Sequence, residues 1–362
     1  MIPELRQEQT VAVAALRAVA VLCRALRAEW GARPQQKADD SPITLADLGG
    51  QALVGRALGT AFPGDPLVGE EDSALLAGPE GSDLARRLAP ALVRAAGLGQ
   101  IPTTAQIRSW IDRGRADPPA NGRWWTVDPI DGTKGYAGGG QYAIALALMQ
   151  DGRPIMGLLA CPVLPLSALL GAAAIPAGGD DQGGDRDGDK SAGGARDRRK
   201  PAGGSLLLGL AGQGAWARDL DDGQAAWQAI RSLPDAEPQG LPWCESLAAS
   251  HSDQDAAARV ACRLGLAMPP LRLDSQVKYA LLAAGRAACS LRIPRSAYVE
   301  KVWDHAAGAC LLEAAGGRVS DLVGRDFDYT RGRTLAANRG MLLSSGPWHG
   351  HLVAAMAAEQ GP

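Results

Sequence analysis

The sequence predicts a layered α/β fold in which sheets are covered by helices. Three observations carry that expectation. Apolar strand patterns at 124–127, 141–150 and 154–160 run between turn signals. The stretch after 205 alternates strand-like and helix-like segments. The N-terminal region carries apolar residues at i, i+3, i+4 spacing. At 362 residues with 46% apolar content, the chain can bury a sizeable core, in one large domain or two packed ones. Aromatic residues are only 4%, so that core is expected to be close-packed, with few large anchors.

In chain order, residues 4–30 read as an amphipathic helix. A second helix at 44–61 has Thr44 as its N-cap and stops at Phe62-Pro63-Gly64. Leu67-Val68-Gly69 is a short strand leading into Glu70, and a helix near 82–97 follows. Trp124 to Val127 form a strand that runs into Asp128-Pro129, where the proline is expected to end it in a fixed turn. The strands at 141–150 and 154–160 are split by Asp151-Gly152, a hairpin signal. Residues 176–204 are rich in Gly, Asp, Arg and Lys, too polar to offset the entropy of ordering, and are expected to form a disordered insertion loop. Beyond them come a strand at 205–210, helices at 253–264 and 275–284, a strand at 288–293, a helix at 303–315 and a strand at 317–321. This divides the chain into an N-terminal α+β metal-binding domain (1–175), the insertion (176–204) and a C-terminal α/β domain (205–362).

A formal charge of -2, from 37 basic and 39 acidic residues, gives no reason to expect a nucleic-acid partner. The absence of an apolar run near ~20 residues argues against a membrane span. Six cysteines lie scattered without C-x-x-C spacing, as expected of buried free thiols in a reducing compartment. The N-terminus lacks a signal-peptide layout. A cytoplasmic location is expected, with an organelle such as a chloroplast or mitochondrion as the alternative.

The chemistry lies in how carboxylates sit at element ends. Asp128 and Asp131 are three apart around Pro129, directly after an apolar strand, so both can point to one spot. Gly132 and Thr133 follow and are expected to open a short helix whose free amides suit a phosphate oxygen. Glu70 follows Leu-Val-Gly at another strand end, Asp47 lies in the second helix, and Asp304 stands at the start of a later one. One acid in a helix's first turn is ordinary. Several at element ends, two of them in Asp-Pro-Ile-Asp, point to a magnesium site: crowded carboxylates repel unless a cation resolves them, and magnesium takes oxygen ligands.

Trp125-Thr-Val-Asp-Pro-Ile-Asp-Gly-Thr-Lys-Gly135 and Trp303-Asp-His-Ala-Ala-Gly308 resemble the two signatures of the lithium-sensitive, magnesium-dependent phosphatases of the inositol monophosphatase superfamily. Lys134-Gly135, Lys37 to Thr44, Leu159 to Pro162, Asp274 to Tyr279, Tyr298 to Trp303 and Gly332 to Asn338 resemble its 3'(2'),5'-bisphosphate nucleotidase branch. The resemblance implies an α/β/α/β/α sandwich of the inositol monophosphatase/fructose-bisphosphatase type. It implies two or three magnesium ions on Glu70, Asp128, Asp131, Asp304 and the Ile130 carbonyl, with Asp47 and Thr133 activating water. It also implies that Gly132, Thr133 and Asp304 contact substrate and that His251, Ser275, Lys278 and Arg292 grip the nucleotide and its 5'-phosphate. Read alone, Lys278 and Arg292 look like solvated charges and His251 like a surface or satisfied histidine. The implied reaction turns adenosine 3',5'-bisphosphate into AMP and phosphate, as part of sulfur metabolism, in an expected monomer. 3'-Phosphoadenylyl sulfate is an expected second substrate. An inositol (poly)phosphate 1-phosphatase and a catalytically inactive nucleotide-binding regulator are the alternatives. The chain departs from the family pattern at Gly138 to Gly140, where an Arg and an acid are usual, and at Val299, where a basic residue is usual.

Overall fold

The computed structural model describes residues 5–30, 35–36, 42–176, 203–233, 241–247, 252–267, 269–273, 275–295 and 298–360. His251 and residues 177–202 of the expected insertion lie outside the described residues. The chain opens with helix α1 (Arg6–Trp30), a ribbon of β1 (Gln35–Gln36) and β2 (Pro42–Ile43), and α2 (Leu45–Ala61). Thr44 caps α2 as expected: its side chain accepts from the Ala46 amide, and the Asp47 carboxylate reaches back to the Thr44 amide. Then follow β3 (Leu67–Gly69), α3 (Gly78–Ala96), α4 (Thr104–Asp112), β4 (Arg123–Asp131), α5 (Thr133–Gly138), β5 (Ala143–Gln150) and β6 (Arg153–Cys161). The second half holds α6 (Leu166–Leu169), β7 (Ser205–Leu210), β8 (Gly214–Asp219), β9 (Gln228–Ile230), β10 (Cys244–Glu245), α7 (Gln254–Arg263), β11 (Leu271–Arg272) and α8 (Val277–Ala283). It ends with β12 (Cys289–Arg292), α9 (Ala306–Ala314), β13 (Gly317–Ser320), β14 (Met341–Ser345) and α10 (His349–Gln360).

Seven strands form one sheet in the order β3-β4-β5-β6-β7-β8-β9, and five form another in the order β11-β10-β12-β14-β13. One core cluster joins α1, α2 and α3 to the outer face of the larger sheet. A second joins its other face to α8, α9 and the smaller sheet. A third packs α7 and α10 on the far face of the smaller sheet. The result is the expected α/β/α/β/α sandwich. Glycines let α9 lie close in the middle: a Cβ on Gly157 of β6 would stand 2.2 Å from the Ala307 carbonyl oxygen, and one on Gly209 of β7 would stand 2.5 Å from the Leu311 Cα.

The larger sheet crosses the expected division, and the structure corrects the expected end of β4. The division at 175 and 205 cuts through the larger sheet, because β6 and β7 pair antiparallel from Met156–Leu210 to Cys161–Ser205. The larger sheet continues past that division and ends with β9 at Ile230. Proline 129 also does not end its strand. β4 runs to Asp131, with the register shifting between Asp128 and Asp131, so the residue that cannot donate falls in an irregularity of the β4–β5 pairing.

Candidate active site and metal centre

The irregularity in β4 shapes the site. Asp128 is buried and accepts from the Ile130 amide at 3.0 Å through Oδ1. Asp131, at the strand end, accepts from the Gln276 amide at 2.6 Å. Gly132 then adopts φ 91°, a left-handed conformation in which a side chain would be strained, and so starts α5 at Thr133. Tyr136 in that helix donates to the Cys23 carbonyl of α1 at 2.8 Å, which fixes the helix from behind.

Asp47 reaches the same place from α2. It is buried, and its Oδ2 accepts from the Thr44 amide at 2.7 Å and the Thr44 hydroxyl at 2.6 Å. Its Oδ1 accepts from Thr133 Oγ1 at 3.3 Å, and the Ile130 carbonyl lies 3.3 Å from the same hydroxyl. One turn along α2, the buried Gln51 donates through Nε2 to the carbonyls of Ile111 and Glu71, while its Oε1 accepts from the Glu71 amide. Gln51 thereby fixes the chain around Glu70.

Asp304 stands in the turn just before α9, whose cap is His305. Gln276 links this turn to Asp131: its backbone amide holds the carboxylate, its Nε2 donates to the Trp303 carbonyl at 3.0 Å, and its Oε1 accepts from the Gly308 amide at 2.9 Å. Behind Asp304, His305 Nε2 lies 3.1 Å from Glu300 Oε2, and its Nδ1 lies 2.8 Å from the Tyr279 hydroxyl.

The carboxylates act on one another. Burial pushes the Asp128 carboxyl well above its usual range, and Glu70, Asp131, Asp304 and Asp47 push it further. Burial raises Asp131 to about 6 against the opposing pull of Lys278, the Gln276 amide and His305. Asp304 is raised by burial, then by Asp131, Glu70 and Glu300, with Arg292 opposing. Each of these acids thus feels the others, and the donor set is all oxygen. That set fits a hard divalent cation, which would favour the ionised forms that burial disfavours. Among the described residues, the trio with ligand atoms all within 4.8 Å of one another is Glu300, Asp304 and His305. Glu300 and His305 lie in the quoted motifs but are not among the expected ligands, and the Glu300–His305 contact already joins them.

The remaining expected residues differ from their sequence appearance. Lys278 is buried, not solvated, with Nζ donating to the Leu273 carbonyl at 3.1 Å. Arg292 sets its Nε 3.2 Å from Glu300 Oε1 and its guanidinium 5.5 Å from the centre of the Tyr298 ring. Ser275 takes φ 70° and accepts from the Val277 amide at 3.3 Å, shaping the turn into α8.

A five-layer sandwich carrying this acidic cluster defines the class as a metal-dependent phosphatase. The chain belongs to the inositol monophosphatase family, whose model matches residues 4–360. It is 34% identical to the 3'(2'),5'-bisphosphate nucleotidase of Emericella nidulans over 347 residues, 93% of this chain and 94% of that one. It is 36% identical to the enzyme of the same name from Oryza sativa over 347 residues, 93% and 90% of the two chains. The fold matches the IMPase of Thermotoga maritima with a TM-score of 0.58 at 17% identity, covering 98% of each chain. It matches SuhB of Mycobacterium tuberculosis with a TM-score of 0.57 at 18% identity, covering 99% of each. No helix among the described residues is long and apolar enough to cross a membrane.

Proposed function

We propose that this chain hydrolyses the 3'-phosphate of adenosine 3',5'-bisphosphate to AMP and phosphate, with 3'-phosphoadenylyl sulfate as a second substrate. The observation that carries the reading is 34–36% identity to bisphosphate nucleotidases across 93% of the chain. Asp47 and Thr133, joined at 3.3 Å, supply the local chemistry.

Glu70, Asp128, Asp131 and Asp304, with the Ile130 carbonyl, would hold two or three magnesium ions. Magnesium, when bound, neutralises charge on the phosphoryl group and on the departing 3'-oxygen. Thr133 orients the attacking water through its hydroxyl, and Asp47 holds that hydroxyl and takes up a proton. Oxygen from water bonds to phosphorus as the bond from phosphorus to the 3'-oxygen breaks, and the leaving 3'-oxygen takes a proton from a solvent water to become a hydroxyl. The Gly132 and Thr133 amides bind a phosphate oxygen. Ser275, Lys278, Arg292 and His251 grip the nucleotide, the two cations meeting its 5'-phosphate.

A phosphate-release assay with magnesium tests this directly. Adenosine 3',5'-bisphosphate is expected to turn over and to be inhibited by millimolar lithium. Inositol monophosphate and inositol 1,4-bisphosphate are expected to turn over far more slowly. Turnover of the inositol phosphates without the nucleotide would sink the substrate assignment. Magnesium-dependent nucleotide binding with no phosphate released would mark the chain as a regulator.

A further inference from the structure

We propose that Arg333 is a positioning residue that sets the distance between the Glu70 and Asp304 arms of the metal centre, an inference that rests on the metal-site reading above. Glu70 follows directly on β3, and Asp304 lies 234 positions further along the chain. Among the described residues, Arg333 touches the neighbours of both. Its backbone carbonyl accepts from the Val302 amide at 3.1 Å, two residues before Asp304. The Leu335 amide donates to the Glu300 carbonyl at 2.8 Å, and Lys301 bridges Thr334 in antiparallel fashion, so 333–335 line the run that delivers Asp304. Its side chain crosses to the other arm, where Nη2 donates to the Gly69 carbonyl, the residue before Glu70. Nη1 donates to the carbonyls of Gly114 at 3.2 Å and Ala116 at 3.0 Å. The Gly114 carbonyl also accepts from the Gly69 amide at 2.8 Å, so the 114–116 loop and the end of β3 are held as one piece. The guanidinium carbon lies 4.9 Å from the centre of the Trp303 ring, beside Asp304.

Only arginine does all of this at once. A planar fork gives several donors in fixed directions while its face stacks on an indole, whereas a lysine ammonium is a point charge on a flexible stem. The precision matters because magnesium demands near-octahedral geometry and tolerates little displacement of a carboxylate. Gln51 fixes the far side of Glu70 through the Glu71 backbone, so Arg333 supplies the side on which the two arms meet. The contacts of Arg333 given above fall on the backbone of residues 69, 114, 116 and 302 and on the Trp303 ring, so it acts through the backbone neighbours of Glu70 and Asp304.

The test is magnesium titration by calorimetry into metal-free wild type and Arg333→Lys without substrate, together with the magnesium dependence of phosphate release. Half-saturating magnesium is expected to rise by about 10–100-fold in both measurements, as for groups that orient metal ligands. The nucleotide KM at saturating magnesium is expected to stay near the wild-type value. A lower melting temperature with unchanged magnesium affinity would assign Arg333 a merely structural role and overturn the proposal. Arg333→Gln keeps a planar group that reaches fewer carbonyls, and it serves if the lysine variant does not fold. Wild type that binds no magnesium would remove the metal-site reading itself, an outcome distinct from equal affinity in both proteins. Calorimetry reads the proposal even if the nucleotide is not the substrate.

Discussion

Asp47→Asn is expected to slow phosphate release by about 10²–10⁴-fold at saturating magnesium, the range for loss of a positioned general base. The carboxylate has two separate duties. Oδ2 closes the capping box of α2 by accepting from the Thr44 amide and hydroxyl, and an asparagine carbonyl can still accept there. Oδ1 faces Thr133 Oγ1 at 3.3 Å, and the Ile130 carbonyl stands equally far from that hydroxyl. One hydroxyl proton is thus shared between two long contacts, leaving the oxygen able to take up a water. The amide keeps the cap but cannot take the proton. The variant should therefore fold with a melting temperature near wild type and fail in the chemical step. Thr133→Val should cost a similar factor, and the double variant little more than either single one, because the two groups act as a unit. Fully additive losses, or near-normal turnover in Asp47→Asn, would remove Asp47 from the proton path.

Much of this site was legible because it is local. The Thr44 cap, the strand running into Asp128 and the short helix after Gly132 are set by neighbours a few residues apart, and the structure keeps all three. What escaped the sequence depends on distant partners. Gln276 lies inside the Asp274 to Tyr279 motif, but nothing in that motif tells that it joins Asp131 to the Trp303 turn across 145 and 27 positions of sequence. Arg333 reaches 264 positions back to Gly69. Lys278 looks like a solvated helix charge until packing buries it against the Leu273 carbonyl. The two-residue strands β10 and β11 are too short for any pattern, and their parallel pairing exists only because the 271–272 segment returns beside 244–245. Pro129 misled for a related reason: its missing donor forbids a regular ladder position but not an irregular one, and only the register with β5 shows which applies.

The acids that make the site cost the fold something when no cation is present, and this gives Asp131→Asn two effects of opposite sign. Phosphate release is expected to fall to background, because the proposed metal centre loses one of its carboxylates. Metal-free stability at neutral pH is expected to rise. Asp131 is held at about 6 in the folded chain against an ordinary value of 3.8, chiefly by burial. Between those values the folded chain keeps a proton that the unfolded chain has released, so stability falls as pH rises through the window from about 4 to about 6. Each tenfold change in proton affinity is worth about 1.4 kcal/mol, so the whole displacement comes to roughly 3 kcal/mol above the window. Asp128 and Asp304 are raised in the same direction and add to the fall. Thermal melts of metal-free wild type should therefore show a higher midpoint at about pH 5 than at about pH 7.5. Saturating magnesium should flatten that difference by binding the ionised carboxylates, since a ligand that binds only the folded state stabilises it. Asp131→Asn should lose part of the pH slope and most of the magnesium response together. A variant that loses the magnesium response but keeps the full slope would place the raised acid elsewhere in the cluster, on Asp128 or Asp304.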